Sequence, residues 1–186
     1  ETKIGKVVVA AEDQEILDDV KKNGGDGILT SKNHKTGTDR IYEAYKKLDL
    51  KNIDYVLNLQ GDEPNIDTND IINLNNLAVK NNFEIGTLGA KIMDKQMLDN
   101  QNVVKVESEK NLEKYEFSKT ISFSRNNISK QNNNIYHHIG IYLYRVNALE
   151  KFVSLTQTKN EIQNKLEQFR ALDNDIKISV TWLKSH

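Results

Sequence analysis

Apolar residues fall in two patterns along this chain: short continuous runs and longer stretches with helical spacing. Lys6 to Ala11 (KVVVAA) is a continuous run, which predicts a strand covered on both faces. Glu12 and Asp13 suit the first turn of a helix, where acids meet the positive end of the dipole. Ile16, Leu17 and Val20 continue that helix, and Gly24-Gly25 ends it. Gly27 to Thr30 predicts a second strand. Thr38 to Leu48 is the clearest helix, with Ile41, Ala44, Tyr45 and Leu48 at spacings of three, four and seven. Ile53 to Leu59 predicts a strand stopped by GDEP, and Asp67 to Lys80 a helix with Ile71, Ile72, Leu74, Leu77 and Ala78 inward. Strands are then expected at Glu84–Ile92, Asn102–Glu107, Thr120–Ser124, His138–Arg145 and Ile176–Leu183. TKNE (158–161) has capping-box spacing and opens a helix running to about Leu172. The polar stretch 124–134, SRNNISKQNNN, reads as a mobile loop.

Strands alternating with helices predict an α/β fold with a mostly parallel central sheet flanked by helices. Such sheets bind ligands beyond the carboxyl ends of their strands, and GDEP falls there. No repeat or linker divides the 186 residues, so a single domain is expected. A net charge of −1, from 26 basic and 27 acidic residues, provides no polycationic field for nucleic acid. No apolar run approaches the roughly 20 residues that span a bilayer, and ETKIGK lacks a signal-peptide core. The absence of cysteine excludes disulfides, a thiolate nucleophile and Cys-based zinc sites, and is compatible with a reducing cytoplasm.

Three groups of residues could carry chemistry. Gln60 to Pro64 places two carboxylates at a strand end, where Asp62 could give Mg²⁺ one fixed ligand, with waters and phosphate oxygens completing its shell. A solvated turn would use the same residues. In NHKTGTDR (33–40), Gly37 allows close backbone approach, Thr38 can cap a helix, and Arg40 offers a planar fork to phosphate, carboxylate or a base edge. A capped helix with an exposed arginine accounts for that segment equally well. The third group is Ser124-Arg125, His137-His138, Tyr142, Glu167-Gln168 and Arg170. On a strand, His138, Gly140, Tyr142 and Tyr144 share a face, and the set suits a polyhydroxylated carboxylic acid; ordinary surface polarity is the alternative. The paired histidines lack a third zinc ligand. Neither GxSxG, GxGxxG nor a Walker A sequence occurs.

Taken in order, VVVAAEDQEI (7–16), TGTDRIYEA (36–44), NLQGDEP (58–64), NVVKV (102–106), FSR (123–125), HIGIYLYR (138–145) and LEQFRAL (166–172) resemble the 3-deoxy-manno-octulosonate cytidylyltransferase family over nearly the whole chain. The resemblance implies a Rossmann-like nucleotide-diphospho-sugar transferase fold with a smaller mixed β subregion. Residues 1–107 would face the nucleotide, and 108–175 the sugar acid and a dimer partner. The implied reaction is CTP plus 3-deoxy-manno-octulosonate (Kdo) to CMP-Kdo and diphosphate, activating Kdo for lipopolysaccharide assembly. By similarity Asp62 binds Mg²⁺. Thr36, Gly37, Thr38, Arg40 and Gln60 face the nucleotide. Arg125, His138, Tyr142, Glu167 and Gln168 form the sugar-acid pocket, with Arg125 on the carboxylate. A cytoplasmic homodimer is implied, with 138–145 contributing to its interface.

The departures from the family pattern are specific. Its opening strand and PAR-x-x-S-x-R loop, and its later G-V-D-T-P-E-D segment with a second metal ligand, do not occur in these residues, which are therefore expected to be a fragment of a longer enzyme. Ala11 stands where Thr is usual, Asn127 and Ser129 flank Ile128 where Pro is usual, and His137 replaces a common Arg; 108–119 reads as a local insertion. Rival readings are a cytidylyltransferase for 8-amino-Kdo or a sialic acid, and a non-catalytic nucleotide- or sugar-binding module. A glycosyltransferase is disfavoured because no Asp-x-Asp ends a strand.

Overall fold

The computed structural model describes residues 4–61, 65–126 and 134–183. Along the chain the elements are β1 (Val9–Ala11), α1 (Gln14–Lys22), β2 (Gly27–Leu29), α2 (Gly37–Leu48), β3 (Tyr55–Leu59), α3 (Thr68–Asn81) and β4 (Ile85–Ala90). There follow α4 (Lys95–Asp99), β5 (Lys105–Ser108), β6 (Phe117–Ser124), β7 (Ile135–Arg145), α5 (Val146–Ser154), α6 (Lys159–Asn164), α7 (Gln168–Leu172) and β8 (Ile178–Trp182).

Helix starts follow local chemistry. Asp13, Thr36, Asp67, Asp94 and Thr158 each accept a backbone N–H from the first turn they cap, and Thr158 with Glu161 completes the capping box. The helix expected from there to Leu172 breaks in two. Lys165 adopts a left-handed conformation (φ 52°) and ends α6, which drops Leu166 into the core and starts α7 at Gln168. No glycine marks the break, so the sequence gives no sign of it.

The main sheet has six strands in the order β3-β7-β4-β8-β6-β5. It is more mixed than expected. β4 and β8 are parallel, and β3 shares their direction, but β7 is inserted antiparallel between β3 and β4. β6 is antiparallel to both β8 and β5. A strand covered on both faces reads as a continuous apolar run whichever way it points, so direction is invisible in the pattern. The eleven residues of β7 serve two neighbours along one edge, β5 through Ile135–His137 and β3 through Ile141–Arg145, with β4 along the other edge. The β7–β4–β8–β6–β5 ladder therefore returns to β7 and closes into a ring.

Successive β7 side chains feed two cores. Tyr142 and Tyr144 join Phe152, Leu149, Ile178 and Val180 on one face, while Ile139, Ile141 and Leu143 join Leu74, Ala78 and Leu88 on the other. Residues 139 and 141–144 are thus at most 3% exposed within this chain, their side chains packed into its own two cores.

β1 and β2 form a separate parallel pair. The expected double cover is missing there, with Val7 and Val9 67% and 38% exposed. Residues 108–119, read as an insertion, are docked. Leu112 is buried with its N–H donating to Tyr136 Oη at 2.9 Å, and β6 starts within the segment at Phe117.

Candidate active site

One cavity of about 720 Å³ opens beside β7, bounded by the start of α2, the end of β3, and the α6–α7 junction. Of the residues singled out in the sequence, Thr36, Gly37, Gln60, Arg125, His137, His138, Gly140, Tyr142, Glu167 and Gln168 line it. Thr36 and Gln168, 132 positions apart in the chain, thus meet at one surface. Asp62 and the stretch 127–133 lie outside the described residues.

A β-bulge shapes the floor. Between Thr87 and Leu88 the β4 register on β7 jumps from Tyr142 to Ile139. Four residues along a straight strand separate Cα atoms by roughly 13 Å, yet the His138 and Tyr142 rings lie 5.3 Å apart. Gly140 between them leaves room for the Gln60 amide: a Cβ there would stand 3.3 Å from Gln60 Oε1. Burial holds the His138 ring neutral, its pKa pulled down to about 3, with His137 adding to the effect. Burial likewise raises the Tyr142 phenol well above its ordinary value.

Glu167 faces the cavity from the α7 N-cap and is tied to α2. Thr38 donates its hydroxyl to Glu167 Oε1 at 2.9 Å and its N–H to Oε2 at 3.4 Å, and Tyr144 Oη lies 3.0 Å from the same hydroxyl. Burial pushes the Glu167 carboxyl up, partly offset by bonds from Thr36 and Thr38. Thr38 is itself fully buried and does not line the cavity; it acts on the wall through Glu167.

Arg125 donates to the carbonyls of Asn164, Gln101 and Lys165 at 3.3–3.4 Å and pairs with no carboxylate among the described residues. Buried Lys105 braces its backbone, donating to Arg125 O at 2.8 Å and Asn100 O at 2.7 Å. Arg40, by contrast, lies off the cavity. It bonds Thr30 Oγ1 at 2.8 Å and Ser31 O at 3.3 Å, and pairs with Glu12.

Sequence reasoning missed Lys35, Asn102, Gln157 and Lys165 in the lining. Lys35 lies inside the NHKTGTDR segment and Lys165 directly precedes LEQFRAL, so position in or beside those segments was the available signal. Together with Arg125 these lysines give the wall three cations facing Glu167 and a Glu161 already bound by Arg170, a balance suited to an anionic ligand. Among the described residues no group of three or more His, Cys, Asp or Glu is arranged to hold a metal ion. No described helix is long and apolar enough to cross a membrane.

Comparison with solved structures gives the class. The chain superposes on a structure described as CMP:2-keto-3-deoxy-manno-octonic acid synthetase complexed with CTP, with a TM-score of 0.84 and 29% identity over 97% of this chain and 73% of that one. A UTP-bound UGPase from Acinetobacter baumannii shares the fold at TM-score 0.57 and 9% identity, over 100% of this chain and 72% of the other. The fold is that of a mixed α/β nucleotidyltransferase. A family model described as cytidylyltransferase matches residues 2–178, and the chain belongs to that enzyme family. A 3-deoxy-manno-octulosonate cytidylyltransferase of Thermodesulfovibrio yellowstonii is 44% identical over 95% of this chain and 73% of its own length. The protein of the same name from Bartonella bacilliformis is 36% identical over 97% and 74%, respectively.

Proposed function

We propose that this protein transfers the cytidylyl group of CTP to Kdo, giving CMP-Kdo and diphosphate and so supplying activated Kdo for lipopolysaccharide assembly. The observation that carries the reading is Arg125: a cavity-lining guanidinium that, among the described residues, meets only carbonyls, in the same cavity as Gln60 and the α2 N-terminus. The relatives bearing the Kdo name supply the substrate. The anomeric hydroxyl oxygen of the sugar acid bonds to the α-phosphorus of CTP, the bond to the β-phosphate oxygen breaks, and diphosphate leaves as the hydroxyl proton is lost.

In this reading Arg125 takes the sugar carboxylate through a planar bidentate pair. His138, Tyr142, Glu167 and Gln168 position the hydroxyls. Thr36, Gly37 and Gln60 face the nucleotide, and Thr38 sets Glu167. Arg40 reaches the nucleotide only after giving up Glu12. Residues 1–107 and 108–175 are the nucleotide and sugar halves of one domain. Asp62 is the residue that would hold a divalent cation, Mg²⁺ in our reading, which would neutralise phosphate charge. CTP is a cytoplasmic nucleotide, and the cytoplasm is where the reaction would run. A homodimer is proposed on family grounds.

Protein made from its complete reading frame, given CTP, Kdo and MgCl₂, releases diphosphate in proportion to CMP-Kdo. EDTA abolishes the release, and light scattering reports twice the chain mass. Diphosphate release with 8-amino-Kdo or sialic acid but not Kdo moves the substrate to that acid. Saturable CTP binding without release under every sugar acid overturns the enzyme reading in favour of a binding module.

A further inference from the structure

Thr87 lies on β4 at the register jump, completely buried beneath the cavity. Its single hydroxyl proton has a fixed destination. Oγ1 is 2.7 Å from the Ile141 carbonyl oxygen, with Ile139 O at 3.4 Å, and a carbonyl can only accept. The same Oγ1 is 3.0 Å from His138 Nε2. With its proton given to Ile141, the hydroxyl can only accept from the ring, so Nε2 carries the hydrogen. The ring is neutral in this buried setting, and a neutral imidazole protonated at Nε2 leaves Nδ1 bare.

We propose that Thr87 is a positioning residue that fixes the tautomer of His138, so that the cavity meets an Nδ1 acceptor for a substrate hydroxyl and not a cationic partner for the substrate carboxylate. The identity of the ligand rests on the proposed function; the tautomer does not. The pocket then divides recognition in two. Arg125, permanently charged, takes the carboxylate, and His138 tests for a hydroxyl in the right place. A site that hydrogen-bonds a substrate hydroxyl rejects the analogue lacking it, because its own acceptor is left unpaired.

The test uses full-length protein labelled with ¹⁵N-histidine, as wild type, Thr87→Val and Thr87→Ser. Long-range ¹H–¹⁵N spectra near pH 7 should show His138 protonated at Nε2 in the wild type and in Thr87→Ser. Thr87→Val should lose that preference and raise KM for the sugar acid about tenfold, the order expected from one lost hydrogen bond, with KM for CTP within about twofold. Recovery by serine separates the hydroxyl from mere packing. A wild-type His138 protonated at Nδ1, or doubly protonated, overturns the proposal, and so does an unchanged tautomer with unchanged KM in Thr87→Val. If Thr87→Val does not fold, the wild-type spectrum alone decides. If no sugar acid turns over, the spectra still decide the tautomer, and the functional reading fails separately.

Discussion

Arg170 and Arg125 both reach the short helix α6, yet the molecule uses them in opposite ways. Arg170, 3% exposed, forks onto both oxygens of Glu161 at 3.0 and 2.6 Å and reaches Asp39 at 2.9 Å, while its guanidinium lies over the Phe152 ring. One cation there joins α2, α6 and α7 behind the cavity. Arg125 meets three neutral carbonyls at longer range and looks into the cavity. The contrast teaches that charge type alone does not mark a binding residue; what matters is how far its hydrogen-bonding capacity is already filled by the fold.

Breaking the filled site should have the larger effect. Arg170→Met leaves Glu161 buried without its partner and should cost about 3–5 kcal/mol of folding stability, measured by urea denaturation, as expected when one member of a buried pair is removed. Arg125→Gln should leave the urea midpoint nearly unchanged and lower kcat/KM for the sugar acid by about 100-fold, the scale of one charge-assisted bond or pair. A large stability loss at Arg125 with activity retained would reverse the assignment of the two arginines.

Acid sensitivity extends the same contrast to groups that change charge. His138 ionises near 6.5 when unfolded and at about 3 when folded, so the unfolded chain binds the extra proton first. Stability from this group is complete above 6.5 and drains as pH falls toward 3. Glu43 is lowered from 4.5 to about 2 by Lys47 first, then the Ser31 N–H and His34, and its contribution drains in the window below 4.5. Urea midpoints of wild type and His138→Gln should therefore diverge less at pH 4 than at pH 7, and Glu43→Gln should flatten the curve only below about pH 4.5.

Much of this arrangement was legible in the sequence because it is local. Thr158 and Glu161 announce their capping box, and the alternation of His138, Gly140 and Tyr142 puts the two rings on one face. The grouping of Arg125, His138 and Glu167 rested on side-chain chemistry alone until resemblance supported it, since no periodicity links a strand end to a helix cap 42 residues later. The slip at Thr87 was illegible because a bulge depends on which strands pair, and pairing is not written in either strand alone. Arg40 misled for a related reason: its fork suits a nucleotide, but Glu12 lies 28 residues away in the chain and only the fold shows that they meet. Helix α5 escaped notice because it follows β7 directly, with Arg145 at its N-cap making no side-chain cap bond.

The returning ladder of β7, β4, β8, β6 and β5 has a mechanical consequence for this pocket. A sheet with a loose border can splay one strand at a time, but five strands joined in a hoop deform only together, at the expense of several backbone bonds. The rings of His138 and Tyr142 stand on that hoop, so they form an anvil of fixed shape. Accommodation of a ligand is left to the segments facing it, the α2 entry at 31–36 and the turn at Lys165, which are held by side-chain bonds and helix ends.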